Sequence, residues 1–151
     1  MMATRADVGR LYVWTYLENR KNYPGGHLAA EDAECMRLAD AIESLSIGSR
    51  SDPLIFAVSA VTRAVLAVPN NGHAKARSAR ELRVVAAGEP RHFWLDEQNG
   101  ILTITAGREG LDELRKNIIG ITETDGGCVE MGPDDDRASE DHDLWFWWLA
   151  P

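Results

Sequence analysis

The feature that most constrains this chain is a run of four consecutive aromatic residues near its carboxyl end, within the sequence LWFWWLA. Alternate residues of a strand point to opposite faces of its sheet. The two predicted faces are Leu144, Phe146 and Trp148 on one side and Trp145, Trp147 and Leu149 on the other. Both faces are apolar, and each aromatic side chain buries about 150–250 Å². We therefore expect helices to cover one face, and further strands, a second subunit or a ligand to cover the other.

Two segments have apolar residues at helical spacing, which predicts two amphipathic helices. The first is predicted to start at Leu28 and to end at Gly48, and the second to cover the sequence GREGLDELRKNIIGI. The predicted buried faces are Cys35, Leu38, Ile42 and Leu45 on the first helix and Leu111, Leu114, Ile118 and Ile121 on the second. In this interpretation His27 lies at the start of the first helix, in its cap region.

Most of the remaining segments predict strands. They are GRLYVWTYLE, PLIFAVS, LRVVAA, HFWLDE, ILTITA, GGCVEMG and LWFWWLA. The second of these is apolar at nearly every position, which predicts a strand covered on both faces. The pair Asn99-Gly100 predicts a tight hairpin, GGCVEMG suits a sheet edge, and HAKARSARE is predicted to be a surface loop. With no repeat or linker, the chain is predicted to be a single α+β domain over residues 1–151, with about two helices on a largely antiparallel sheet.

The negative charge is confined to one segment. The chain has a formal net charge of −8, and the segment from Glu123 to Asp143 contains nine acidic residues and one arginine. The rest of the chain is therefore neutral. A concentrated acidic patch attracts basic partners and accelerates their association, although a solvated acidic loop has the same composition. The candidate partner-binding acids are Asp134, Asp135, Asp136, Glu140 and Asp141.

No arrangement of residues predicts catalysis or a cofactor. The four histidines are scattered, and the glycines of AGREG match neither a phosphate-binding loop nor a dinucleotide fingerprint. The acidic run lacks the alternating ligand spacing and central glycine of a calcium loop. Cys35 and Cys128 have no metal or redox spacing and are predicted to be free core thiols. The sequence therefore favours a non-enzymatic protein without a metal or cofactor.

Composition also bears on location and on partners. The longest apolar stretch, Leu54 to Pro69, contains Arg63 and is shorter than the ~20 residues of a membrane-spanning helix. The first ten residues lack the apolar segment of a signal peptide. Net negative charge opposes binding to a phosphate backbone. We therefore expect a cytoplasmic protein that binds neither membranes nor nucleic acid.

Several segments also resemble a family of small, mostly uncharacterised bacterial proteins in which they occur in the same order. They are NRKNYPGG, HLAAEDAECMRL, LAVPNNG, LTITAGREGLDELRKNI and LWFWW. The part from Leu102 to Ile121, followed by a final strand, is also similar to the immunity proteins of polymorphic toxin systems, in particular the type called immunity protein 32. This second resemblance implies an inhibitor of a bacterial toxin, and neither resemblance implies a catalytic residue.

Three classes of function follow from these observations. The first is a protein-binding module, in its most specific form an immunity or antitoxin-like inhibitor that presents its acidic segment to a basic toxin. The second is a scaffold protein that forms a homodimer through its aromatic face. The third is a small-molecule binder or enzyme with an aromatic-lined pocket. For the first class we expect Trp145 and Trp147 to contribute to the partner-binding surface together with the acidic residues.

Overall fold

The computed structural model describes residues 10–17, 24–49, 51–69, 75–123, 128–133 and 140–149. The strands are β1 (Leu11–Tyr16), β2 (Gly26–Ala30), β3 (Leu54–Ala57), β4 (Ala76–Ser78), β5 (Glu81–Ala86), β6 (Phe93–Gln98), β7 (Ile101–Ala106), β8 (Cys128–Met131) and β9 (Leu144–Trp147). The helices are α1 (Asp32–Ser46), α2 (Arg63–Ala67) and α3 (Arg108–Thr122), and a 3₁₀ helix covers Glu140–His142.

The strands form two sheets. The first sheet has the order β4-β1-β2-β9-β8 and the second the order β3-β5-β7-β6. Of the seven pairings described, only β2 with β9 and β5 with β7 are parallel. The predicted α+β class and the largely antiparallel pairing are therefore confirmed, and the strands divide between two sheets where the sequence predicts one.

The main apolar core lies where the inner faces of both sheets meet α1 and α3, which pack against each other. The eight predicted core positions of the two helices are all buried: Cys35, Leu38, Ile42, Leu45, Leu111, Leu114, Ile118 and Ile121. Burying a leucine or isoleucine side chain contributes about 1.5–3 kcal/mol. The predicted helix faces are confirmed, and they pack against two sheets at once.

The aromatic carboxyl end packs on both of its faces, as its alternation predicts. Leu144 and Phe146 are buried in the main core, and Trp148 packs against it. Trp147 and Leu149 pack against a second apolar cluster on the other side of the first sheet. Val65 and Leu66 of α2 belong to this second cluster. This short helix therefore helps to cover the second apolar face of the aromatic strand, which the sequence predicts to be covered.

The predicted start of the first helix is wrong. Residues Gly26–Ala30 form β2, which lies between β1 and β9, and α1 begins only at Asp32. All five residues of β2 are buried. Pairing with two neighbouring strands therefore outweighs the local helical pattern, and His27 is a strand residue, not a helix cap.

Two other local predictions differ from the structure. The segment around β3 is not covered on both faces, because β3 is an edge strand and the Ile55 side chain is 59% exposed. The predicted surface loop contains β4, which pairs with β1. The short helix α2 is capped in its first turn by Thr62, whose Oγ1 accepts a 3.3 Å hydrogen bond from the Val65 amide.

Other local predictions are confirmed. Asn99 and Gly100 both have positive φ, 55° and 82°, and join β6 to β7 in a two-residue hairpin. This conformation is the reason why an Asn-Gly pair is favoured there. The strand β8 lies at the edge of the first sheet. No helix within the described ranges is long and apolar enough to span a membrane.

Candidate functional site

The predicted partner-binding residues fall into three groups. Asp134, Asp135 and Asp136 lie outside the described residues. Glu140 and Asp141 belong to the 3₁₀ helix that leads into β9, and Trp145 and Trp147 lie in β9 itself. The structure adds two carboxylates of the same acidic segment, from Glu130 and Asp143, which the sequence alone does not single out.

Glu130, Glu140 and Asp143 form what we call the carboxylate cluster. One carboxylate oxygen from each lies within 4.8 Å of one from each of the others. The register of β8 against β9 brings Glu130 opposite Trp145, two residues beyond Asp143. The 3₁₀ helix brings Glu140 close, because the Asp143 amide donates a 3.0 Å hydrogen bond to the Glu140 carbonyl oxygen.

Burial and charge repulsion act together on Asp143. Its pKa is raised from the ordinary value of 3.8 to about 7, first by desolvation, then by a hydrogen bond with Glu130 and by repulsion from Glu130 and Glu140. Within the part of the chain that the structure describes, no lysine or arginine pairs with the carboxylate cluster. Near neutral pH, Asp143 is therefore poised to lose its proton when a positive charge approaches.

Two glycines allow the backbone to approach Asp143 closely. A Cβ at Gly132 would overlap the Asp143 carboxylate, and a Cβ at Gly25 would overlap its carbonyl oxygen. Gly25 also has a φ of +75°, a conformation that other residues rarely adopt. The Gly26 amide donates a 2.9 Å hydrogen bond to the same carbonyl oxygen. The position of Asp143 is thus fixed by β2 as well as by its own segment.

The outer face of the first sheet carries an aromatic cluster around a fully buried histidine. Its members are Trp14, Tyr16, His27, Trp145 and Trp147. The His27 ring is nearly parallel to all three indoles, with centroid separations of 5.6 Å to Trp14, 6.3 Å to Trp145 and 6.2 Å to Trp147. The sequence gives no direct signal for this arrangement, because it depends on pairing between strands far apart in the chain.

One hydrogen bond in this cluster defines the state of His27. Nε1 of Trp147 donates to Nδ1 of His27 at 3.0 Å, so this ring nitrogen carries no proton. In contrast, Nε1 of Trp14 and of Trp145 have no hydrogen-bond partner among the described residues. Two buried donors without partners reduce stability. The aromatic cluster adjoins the carboxylate cluster through Trp145, which lies opposite Glu130 in the β8–β9 register.

Cys35 is a free, buried thiol, as the sequence predicts. Burial, followed by repulsion from Asp32 and Glu34, raises its pKa to about 12. Its Sγ lies 3.6 Å from the carbonyl oxygen of Ala30. A thiol with this pKa stays protonated at neutral pH and is a poor nucleophile. Cys35 therefore contributes to packing.

The described surface has at least three cavities. Cavities of about 730 Å³ and 770 Å³ lie next to each other near the start of α3 and share Arg91, Phe93, Glu109 and Pro133. A cleft of about 250 Å³ lies between the two sheets and is lined by Asp141 and His142 of the 3₁₀ helix, among others. None of the three is lined by Trp145 or Trp147.

Comparisons of the chain with protein-family models, with curated proteins and with solved structures returned no match. The resemblances to small bacterial proteins and to immunity protein 32 therefore stay predictions.

Proposed function

We propose that this chain is a non-enzymatic protein-binding module whose acidic surface engages a basic partner. The observation that carries the proposal is the carboxylate cluster: three acidic side chains are held together without a pairing cation in the described part of the chain. The pKa of one of them, Asp143, is raised to about 7 by desolvation, by a hydrogen bond with Glu130 and by repulsion from Glu130 and Glu140.

Such a cluster costs folding free energy, because like charges repel and a carboxylate loses hydration on burial. A lysine or arginine from a partner would offset both costs through charge-assisted hydrogen bonds. The surrounding segment would also attract the partner from a distance, since it contains the entire net charge of the chain. Local geometry and overall charge thus both support a cationic partner.

Aromatic residues adjoin the charged groups. Trp145 lies directly opposite Glu130 across the β8–β9 pair and is only partly buried. Tryptophan is enriched among the residues that contribute most to protein–protein binding, and polar groups surround such residues at the rim of an interface. In this proposal Glu130, Glu140 and Asp143 contact the basic group, Asp141 and the run Asp134–Asp136 provide long-range attraction, and Trp145 provides apolar contact.

The specific form of the proposal is an immunity or antitoxin-like protein that inhibits a basic bacterial toxin in the cytoplasm. The charge distribution and the resemblance of the Leu102–Ile121 segment to immunity proteins support this form. A homodimeric scaffold would instead use Trp145 and Trp147 against a second copy. A small-molecule binder would need a pocket beside them.

The test is co-expression with the product of the adjacent gene, followed by calorimetric titration of the purified pair near pH 7 in buffers of different ionisation enthalpy. We expect binding to release protons, because a cation beside Asp143 lowers its pKa. The Asp143→Asn variant should release fewer protons, whereas Glu113→Gln, on the exposed side of α3, should behave like the wild type. Self-association without a partner, or turnover by the isolated chain, would contradict the proposal.

A further inference from the structure

The cleft of about 250 Å³ lies at one open end of the space between the two sheets. One wall comes from the end of β1, the start of β2 and Arg77 of β4, and the other from β6 and β7. The 3₁₀ helix contributes Asp141 and His142 to the rim. The cleft is therefore formed by the acidic segment together with strands that are distant from it in sequence.

Close packing positions both walls of the cleft. A Cβ at Gly26 would lie 2.9 Å from Leu95 Cδ2 and 3.0 Å from Leu102 Cδ2, so a glycine allows β2 to approach the second sheet. The His142 ring stacks on Trp94 with centroids 3.6 Å apart, and its Nδ1 donates to the Leu95 carbonyl oxygen at 2.7 Å. These contacts attach the 3₁₀ helix to β6.

The lining of the cleft is apolar inside and acidic at the rim. Leu95 and Leu102 are buried lining residues, whereas Asp96 and Glu97 are exposed. With Asp141, the lining contains three carboxylates and one guanidinium, that of Arg77, and thus a net charge of −2. The Glu97 carboxylate accepts a 2.9 Å hydrogen bond from the Gly100 amide, which holds it at the hairpin.

We infer that this cleft receives an arginine or lysine side chain of the protein partner. The inference rests on the proposed function and names the part of the partner that the acidic surface recognises. Long basic side chains place their methylene groups against apolar surface while the charged end reaches polar groups. The cleft offers the side chain of Leu17, which is 49% exposed, for the stem and carboxylates for the head. Its volume lies below the range of about 300–1,000 Å³ for small-molecule pockets, which favours a single side chain.

The probe for this inference is N-acetyl-arginine amide, with N-acetyl-citrulline amide as an uncharged control of nearly the same shape. Titration of each into the full chain is followed by amide chemical shifts. We expect the arginine probe to shift the amides of Gly26, Leu95 and Leu102 in a saturable way, and the citrulline probe to leave them unchanged. N-acetyl-lysine amide should shift the same amides.

Two substitutions should have opposite effects on the arginine probe. Asp96→Asn should weaken its binding about two- to fivefold, and Arg77→Ala should strengthen it by a similar factor, the range for exposed charge pairs. Asp52→Asn, at an exposed position outside the cleft lining, is the matched control and should have no effect. Unchanged dispersion of the amide spectrum would show that each variant is folded.

Equal shifts with the arginine and citrulline probes, or no effect of Asp96→Asn, would overturn the inference. Its failure is distinguishable from that of the proposed function, because Asp96 and Arg77 lie outside the acidic segment. If neutralising the carboxylate cluster weakens partner binding while Asp96→Asn does not, the cleft is not the recognition site and the binding function stands. If neither substitution affects partner binding, both proposals fail.

Discussion

Nε1 of Trp147 donates a 3.0 Å hydrogen bond to Nδ1 of His27, a residue 120 positions earlier in the chain. This contact joins the last strand to β2 on the face of the first sheet opposite the main core. The substitution Trp147→Phe removes the donor and leaves the buried Nδ1 of His27 without this hydrogen bond. We expect it to lower the free energy of unfolding by about 1–3 kcal/mol in addition to the effect of the lost packing.

Trp145→Phe is the matched control for this hydrogen bond. Trp145 lies in the same strand and on the same face, but its Nε1 has no partner among the described residues. The variant therefore loses similar ring volume without losing a hydrogen bond. Urea denaturation should rank Trp147→Phe below Trp145→Phe in stability, and equal stability of the two variants would count against the His27 contact.

Leu114→Ala tests the core between the two sheets. Leu114 is fully buried on α3, so its truncation removes apolar contacts and leaves a cavity. We expect a loss of roughly 2–5 kcal/mol in the free energy of unfolding. Glu113→Ala, at the preceding exposed position, should change it by less than about 0.5 kcal/mol. Similar unfolding midpoints for the two variants would show that this face of α3 is not in the core.

Comparing Gly25→Ala with Gly48→Ala separates the energetic cost of steric overlap from the cost of a left-handed backbone conformation. Gly25 and Gly48 have nearly the same φ, +75° and +78°, but a Cβ at Gly25 would overlap the Asp143 carbonyl oxygen, whereas nothing lies within 4 Å of one at Gly48. We expect Gly48→Ala to cost about 1–2 kcal/mol through its left-handed conformation. Gly25→Ala should cost clearly more in thermal unfolding. A smaller cost at Gly25 would contradict the close approach of β2 to Asp143.

The raised pKa of Asp143 predicts a pH-dependent stability. The folded chain holds this proton more tightly than the unfolded chain, so the resulting stabilisation is present below the ordinary pKa of 3.8 and is lost as pH rises through about 7. Asp143→Asn should therefore be more stable than the wild type at pH 8, by roughly 1–2 kcal/mol after solvent screening is allowed for. The difference should shrink at pH 5.

Denaturant titrations at the two pH values measure this effect. Asp40→Asn, at an exposed position on α1, is the control and should not reproduce it. An Asp143→Asn variant that is less stable than the wild type at pH 8 would show that the carboxylate cluster is not destabilising.

The parts of the fold that follow from sequence are those with a local cause. The Asn99-Gly100 hairpin follows from the positive φ of both residues, and α3 follows from an apolar face that recurs every three or four residues. The two-sided burial of β9 follows from strict alternation in an aromatic run. In each case local geometry and tertiary packing favour the same structure.

The parts that do not follow depend on distant pairing. The β2 sequence continues into α1 with only Glu31 between them, so no turn residue separates strand from helix, and burial between β1 and β9 determines the strand. For the same reason, His27 could not be assigned to the aromatic cluster. The approach of Glu130 to Asp143 requires the β8–β9 register, and the cleft requires contact between two sheets.

The most direct measurement of the central claim is the association rate with the adjacent gene product at two salt concentrations. We predict that the wild-type rate falls steeply as salt increases, because charges are screened beyond about 8 Å at physiological ionic strength. A chain carrying Glu130→Gln, Glu140→Gln and Asp143→Asn should associate severalfold more slowly at low salt and depend less on salt, since attraction raises association rates above the uncharged value. Equal rates for the two proteins at both salt concentrations would contradict the claim that the acidic surface binds a basic partner.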